Sequence, residues 1–159
     1  GYHNWERGWW GKTTVWERSA RAPLMIRIPG REGDADIRRV VEFIDISPTL
    51  ADLAGLEKPS RLSGRSLLPL IESPGLPENE WNGQAFTQYG SDLWSVRTDR
   101  YRSCEWGDAK SPTVALYDHQ VDPDELQDLS QHPEHRDLIQ RFQGLIGNQR
   151  TMVPAEDGF

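Results

Sequence analysis

Trp94-Ser95-Val96-Arg97-Thr98-Asp99-Arg100-Tyr101-Arg102-Ser103-Cys104-Glu105-Trp106 decides the fold of the second half of the chain. Two short runs rich in aromatic and β-branched residues flank Thr98-Asp99-Arg100, which is the pattern of an antiparallel hairpin. Residues 84–89 before it and 113–118 after it read as further strands. Pro133 then opens an amphipathic helix, with Leu138, Ile139, Phe142, Leu145 and Ile146 on one face and an end near Gly147. The expected unit, residues 84–149, is a small antiparallel sheet covered by one helix, followed by a frayed tail over 150–159.

Upstream the pattern differs. Residues 1–22 are rich in Gly and Trp, holding Trp5, Trp9, Trp10 and Trp16, and read as a loop running into a short helix. Pro23-Leu24-Met25-Ile26-Arg27-Ile28 and Val40-Val41-Glu42-Phe43-Ile44 are short apolar runs that suit strands covered on both faces. Between residues 47 and 55 a helix of about two turns is expected, with Ser47 as N-cap, Pro48 in the first turn and Gly55 at the C-terminal stop. Strand, loop, strand and helix in this order make residues 1–72 the end of an α/β domain. A proline-rich connection over 73–83 leads to the antiparallel unit.

Composition narrows the function. The 159 residues contain no run near the ~18 to 20 apolar residues of a membrane span. The chain opens on Gly rather than Met, without the basic and apolar regions of a signal peptide, so a processed or incomplete sequence is expected. One cysteine excludes an internal disulfide and any multi-cysteine metal site. The net charge of -7 argues against nucleic acid as a partner. That charge is unevenly spread: residues 1–39 carry +3 and the rest -10. A basic segment on an acidic body suits a small anionic ligand.

Several residues could carry chemistry. Cys104 sits inside a strand with no histidine paired to it in the sequence and reads as a structural thiol. His132 and His135 have a spacing that could hold a metal, but Glu134 and Asp137 beside them favour a solvated helix start. The segment Gly8-Trp9-Trp10-Gly11-Lys12-Thr13-Thr14-Val15-Trp16-Glu17-Arg18 is the most specific in the chain. A lysine set between a glycine and two threonine hydroxyls at the mouth of a helix can aim an ammonium and backbone N–H groups at an oxyanion. His3 lies in the same Trp-rich loop.

The order Gly11-Lys12-x-Thr14, then Glu17, Arg21-x-Pro23-Leu24 and Pro29-Gly30, closely resembles the sulfatase family of the alkaline-phosphatase-like superfamily. Gly1 resembles the last residue of that family's metal motif, and Glu6-Arg7-Gly8 its following loop. The likeness continues through residues 45–56, Gly64-Arg65-Ser66-Leu67-Leu68-Pro69, the hairpin 96–102, Leu116-Tyr117-Asp118 and Asp122-Pro123-x-Glu125. Within the family it looks most like the iduronate-2-sulfatase and choline-sulfatase branches.

The resemblance implies the C-terminal part of an alkaline-phosphatase-like α/β sheet plus the small antiparallel subdomain. It implies a parent that cleaves sulfate esters, of sulfated sugars or other small molecules, in the periplasm or outside the cell. Its nucleophile would be a formylglycine made from a Cys-x-Pro-x-Arg motif, with calcium polarising the sulfate. Lys12 would be catalytic and substrate-binding, His3 substrate-binding, and Glu17 and Arg21 would pair across one helical turn. The sequence contains no Cys-x-Pro-x-Arg motif, and Cys104 does not replace it. No metal ligand is assigned, and the chain alone is expected to be inactive. Two other readings stand: part of a related phosphonate or phosphodiester hydrolase, or a carbohydrate-binding module in which the tryptophans stack on sugar rings.

Overall fold

The computed structural model describes residues 1–32, 35–77 and 79–152. The expected frayed tail therefore falls largely outside the described residues. The chain forms two compact units, one from Leu24–Ala85 and the other from Gly1–Pro23 together with the chain from Phe86 on. The division falls after residues 23 and 85 because the N-terminal segment packs on the C-terminal sheet.

That sheet has four strands, β3 (Gln84–Tyr89), β4 (Leu93–Thr98), β5 (Tyr101–Trp106) and β6 (Thr113–Asp118), in the order β3-β4-β5-β6. The hairpin pairs Trp94 with Glu105 and Arg97 with Arg102, and β5 pairs Tyr101 with Asp118 through to Trp106 with Thr113, all antiparallel. Thr98 closes the turn by accepting the Tyr101 N–H on its hydroxyl, 3.1 Å away.

Side chains of a strand alternate between faces, and here the two faces have different partners. On one, Trp94, Val96 and Leu116 form a core with Phe142 and Ile146 of the helix α4 (Arg136–Met152). On the other, Cys104, Ala115 and Tyr117 pack with Val15, against which Trp16 leans. Burying a Phe or Ile side chain stabilises by about 1.5–3 kcal/mol, whereas exposed ion pairs contribute about 0–1. The apolar stripe is therefore what holds α4. The helix does not stop near Gly147 but continues to Met152. Arg150 explains the extra turn: its Nη2 lies 3.4 Å from Glu105 Oε2 and its guanidinium 5.8 Å from the Trp94 ring.

In the other unit, α2 (Ile46–Leu53) and α3 (Leu68–Glu72) stand over a cluster of Leu67, Leu70 and Trp81. The helix expected around residues 47–55 begins earlier, from a 3₁₀ turn at Phe43–Asp45 in which Glu42 and Asp45 cap one another reciprocally. Ser47 is thus inside the helix and not its N-cap. The C-terminal stop is as expected: Gly55 takes φ 64°, and the Leu56 N–H reaches back to the Ala51 carbonyl at 2.9 Å.

The strands expected at 23–28 and 40–44 are absent. A strand requires a neighbour to pair its backbone groups, and no strand ladder runs beside either run among the described residues. Leu24 and Val41 instead pack on the Leu67–Trp81 cluster, while Met25, Phe43 and Ile44 are exposed.

Asp45 binds this unit together. It is buried and accepts the Glu42 N–H on one oxygen and the Arg65 N–H on the other, each at 2.9 Å. Gly64 makes that approach feasible, since a Cβ there would lie 2.1 Å from the Ile44 carbonyl oxygen and 2.8 Å from the Asp45 nitrogen. Both obstacles are backbone and cannot swing aside. Gly64→Ala is therefore expected to destabilise by about 1–3 kcal/mol, read as a fall in Tm. Gly75→Ala, where nothing lies within 4 Å of the added carbon, should leave Tm nearly unchanged.

Candidate functional site

The Lys12 region begins as a two-stranded ribbon. β1 (His3–Asn4) pairs antiparallel with β2 (Trp10–Gly11), placing His3 opposite Gly11. The connection is tight: the Gly8 N–H bonds the Trp5 carbonyl at 2.9 Å and the Trp5 N–H bonds the Trp9 carbonyl at 3.0 Å. Trp5, Arg7 and Thr13 all take positive φ, at 81°, 58° and 72°. For a β-branched residue such as Thr13 this is a strained conformation, costing on the order of 1–3 kcal/mol, and such strain concentrates at functional sites.

Lys12 sits in the middle of this strain. Its carbonyl accepts the Trp9 indole N–H at 3.4 Å and the Thr13 hydroxyl. Its side chain is exposed, and no hydrogen bond or ion pair from the described residues reaches its ammonium. Beneath it, His3 is buried, with Nε2 3.0 Å from the Thr14 hydroxyl, which in turn donates to the Ser19 hydroxyl at 2.8 Å. The Thr14 hydroxyl is thus held between the His3 ring and the Ser19 hydroxyl. The structure thus brings His3 and Lys12 into one hairpin, the lysine outward and the histidine inward. Gly1 packs so closely on the short helix α1 (Glu17–Ala20) that a Cβ would lie 1.9 Å from the Arg18 carbonyl oxygen.

Arg7 ties the ribbon to the sheet. Its Nη1 donates to the Tyr117 hydroxyl at 2.9 Å, and its guanidinium lies 4.7 Å from the Tyr117 ring and 5.2 Å from that of Trp16. Burial raises the Tyr117 phenol above its ordinary value, outweighing the Arg7 bond that lowers it. Trp16 is therefore committed to packing, whereas Trp5, Trp9 and Trp10 remain exposed.

A buried ionic network anchors the segment that follows Lys12. Arg102, 2% exposed, donates through Nε to Glu125 at 2.6 Å, through Nη2 to Glu17 at 2.7 Å, and through Nη1 to the Val15 carbonyl at 2.9 Å and the Ser95 hydroxyl at 3.0 Å. Glu125 also accepts the Glu17 backbone N–H at 3.0 Å and lies 2.8 Å from His119 Nε2. Burial alone would raise the Glu125 carboxyl, but the His119 hydrogen bond, the Arg102 charge and the Glu17 N–H hold it below the ordinary glutamate value. Arg97 stands across the hairpin from Arg102, a pairing that would otherwise repel. Burial lowers the Arg97 guanidinium, and the Glu17 carboxylate, 3.6 Å from it, works against that shift.

Sequence reasoning gave Glu17 a different partner. The pair with Arg21 exists at 3.9 Å, but Arg21 is 80% exposed, so Arg102 is the stronger contact. Arg102, His119 and Glu125 were missed as a group. The sequence signals that touch them are Asp122-Pro123-x-Glu125, which holds Glu125, and the hairpin 96–102, which holds Arg102.

Glu17, His119 and Glu125 bring ligand atoms within 4.8 Å of one another, the one such three-residue group among the described residues. It does not fit calcium. Arg102 already donates to both carboxylates, and a divalent cation would have to displace a buried guanidinium. His132 and His135 do not join such a group; His135 packs edge-on against Tyr101 at 6.4 Å. Cys104 is fully buried, and burial pushes its thiol up to about 12, the state of an inert core residue.

The family model described as "N-sulphoglucosamine sulphohydrolase, C-terminal" matches residues 5–151. A sulfatase of Formosa agariphila is 28% identical over 160 residues, covering all of this chain and 30% of the relative. Human arylsulfatase K is 31% identical over 128 residues, covering 75% of this chain and 24% of its own length. Among solved structures, BT4656 in complex with its substrate D-glucosamine-2-N,6-O-disulfate superposes with TM-score 0.72 at 24% identity, over 99% of this chain and 33% of that one. A phosphonate monoester hydrolase of Agrobacterium radiobacter does so with TM-score 0.52 at 24% identity, over 68% of this chain and 24% of that one, a likeness of fold. The chain thus spans about a quarter to a third of the length of these relatives, and no described helix is long and apolar enough to cross a membrane. With the family matched over nearly every residue that builds the Lys12 hairpin, the buried network and α4, this chain belongs to the sulfatase family, as its C-terminal portion.

Proposed function

We propose that the protein carrying this chain is a sulfuric ester hydrolase acting on a sulfated sugar, and that Lys12 is its contact to the sulfate. The observation that supports this reading is the exposed ammonium of Lys12, which no described residue bonds, on a backbone-strained hairpin inside the family's matched region. A fixed cation at that place binds a sulfate oxygen in the ground state and stabilises the charge that grows on the ester oxygen as the sulfur–oxygen bond breaks. His3, buried beside this turn, acts by holding Thr14 and hence the turn that presents Lys12. A formylglycine nucleophile and calcium belong to the proposal as contributions from the rest of the protein. The described residues make no calcium site, since Arg102 occupies both carboxylates of the one candidate group.

The test is release of inorganic sulfate by the intact protein. D-Glucosamine-2-N,6-O-disulfate and nitrophenyl sulfate are expected to be cleaved at least about a hundredfold faster, in kcat/KM, than nitrophenyl phosphate or a phosphonate monoester. The opposite preference would replace this reading with the phosphonate hydrolase one. Binding of sugars without any hydrolysis would replace it with the carbohydrate-binding one.

A further inference from the structure

We propose that Arg102, Glu17 and Glu125 form a positioning device for Lys12, so that the C-terminal sheet governs turnover without touching substrate. This inference rests on the assignment of Lys12 to the sulfate.

Local bonds on this segment, among the described residues, are those of Trp9 and Thr13 to the Lys12 carbonyl and of His3 and Ser19 to Thr14. Residues 12–16 belong to no helix and no strand ladder, and β1 and β2 pair over only two residues each. The anchor of this segment to the four-stranded sheet comes three to five residues after Lys12. The Val15 carbonyl accepts from Arg102 at 2.9 Å and from the Ser95 hydroxyl at 3.1 Å. The Glu17 N–H donates to Glu125 at 3.0 Å, and the Glu17 carboxylate accepts from Arg102 at 2.7 Å. These bonds join positions 15–17 to β4, to β5 and to the turn after β6.

The chemistry of the parts suits alignment. A guanidinium is a rigid planar fork whose donors leave in set directions, so it fixes angles as well as distances. Arg102 uses that fork to fix the Glu17 and Glu125 carboxylates and the Val15 carbonyl relative to one another. Glu125 holds φ 56°, a conformation that costs energy for a non-glycine residue and persists only where its surroundings enforce it. A buried ionic group is a poor route to net stability compared with apolar packing, and apolar packing is what the same face uses at Cys104, Ala115 and Tyr117. A displacement of about 1 Å in a catalytic group can cost a hundredfold in rate, which is the scale on which such alignment acts.

The experiment is a double-mutant cycle in the intact enzyme, reading kcat and KM for nitrophenyl sulfate. Glu125→Gln is expected to lower kcat ten- to a hundredfold with KM changed less than about threefold. In a Lys12→Ala background the same substitution is expected to lower kcat less than twofold further, because the group it positions is gone. An equal fall in both backgrounds would overturn the positioning role, and so would an unchanged kcat in Glu125→Gln. Near-normal kcat and KM together in Lys12→Ala alone would instead overturn the sulfate assignment, which separates the two failures. Should Glu125→Gln fail to fold, Glu17→Gln carries the same prediction from a side chain 19% exposed, and an additive result there is equally decisive.

Discussion

Lys12→Ala in the intact enzyme is expected to lower kcat by about a hundredfold or more while leaving the melting temperature within about 2 °C. The rate effect follows from the role: removing one preorganised group that stabilises developing negative charge costs about 2.7–4 kcal/mol in the transition state. The stability effect follows from the geometry. Trp9 and Thr13 bond the Lys12 carbonyl, which alanine keeps, and the ammonium makes no bond to the described residues. Substitution of such a surface side chain usually changes stability by less than about 0.5 kcal/mol. Steady-state kinetics paired with thermal unfolding checks both halves. If kcat and kcat/KM fall together, the lost interaction is one made in the transition state; a rise in KM at constant kcat would reduce Lys12 to a ground-state sulfate contact.

The elements legible in the sequence are those whose causes are local. The 94–106 hairpin needs only alternation and a tight turn, both contiguous, and α2 carries its own stop at Gly55. The strands expected at 23–28 and 40–44 were a different problem. A short apolar run does not say whether a neighbouring strand is there to pair with, and none of the described strands is. The site divides in the same way. Lys12, the residue proposed to meet the sulfate, could be singled out because Gly11-Lys12-x-Thr14 is one unbroken stretch. Arg102 could not, because its partners lie 85 residues upstream at Glu17 and 23 downstream at Glu125. Arg97 and Arg102 lie on the sheet face that Val15 and Glu17 cover, a contact between segments far apart in the chain.

The largest expected loss of stability follows from that packing. Arg102→Met keeps an apolar stem of similar length but leaves Glu125, 1% exposed, and Glu17 without their shared cation. Breaking a buried pair from one side costs about 3–5 kcal/mol, since the remaining charge stays uncompensated. Its pH dependence identifies the cause. In the native protein the Glu125 carboxyl is depressed, so its contribution is present above the ordinary glutamate value and is lost as pH falls through the depressed one. In the variant, burial remains while the Arg102 charge is gone, and the carboxyl moves up. The deficit against the native protein should therefore be full at neutral pH and shrink as pH falls through the ordinary glutamate range, about 4.3. Thermal unfolding at both pH values reads this directly, and a pH-independent deficit would mean that lost packing, not lost charge, is responsible. Adding Glu125→Leu to Arg102→Met removes the stranded carboxylate and should restore part of the stability, because an apolar pair replaces an ionic one at little cost in a buried site. If the inferred alignment of Lys12 is correct, that second substitution restores the fold without restoring kcat, since leucine and methionine cannot hold the Val15 carbonyl or the Glu17 backbone in place.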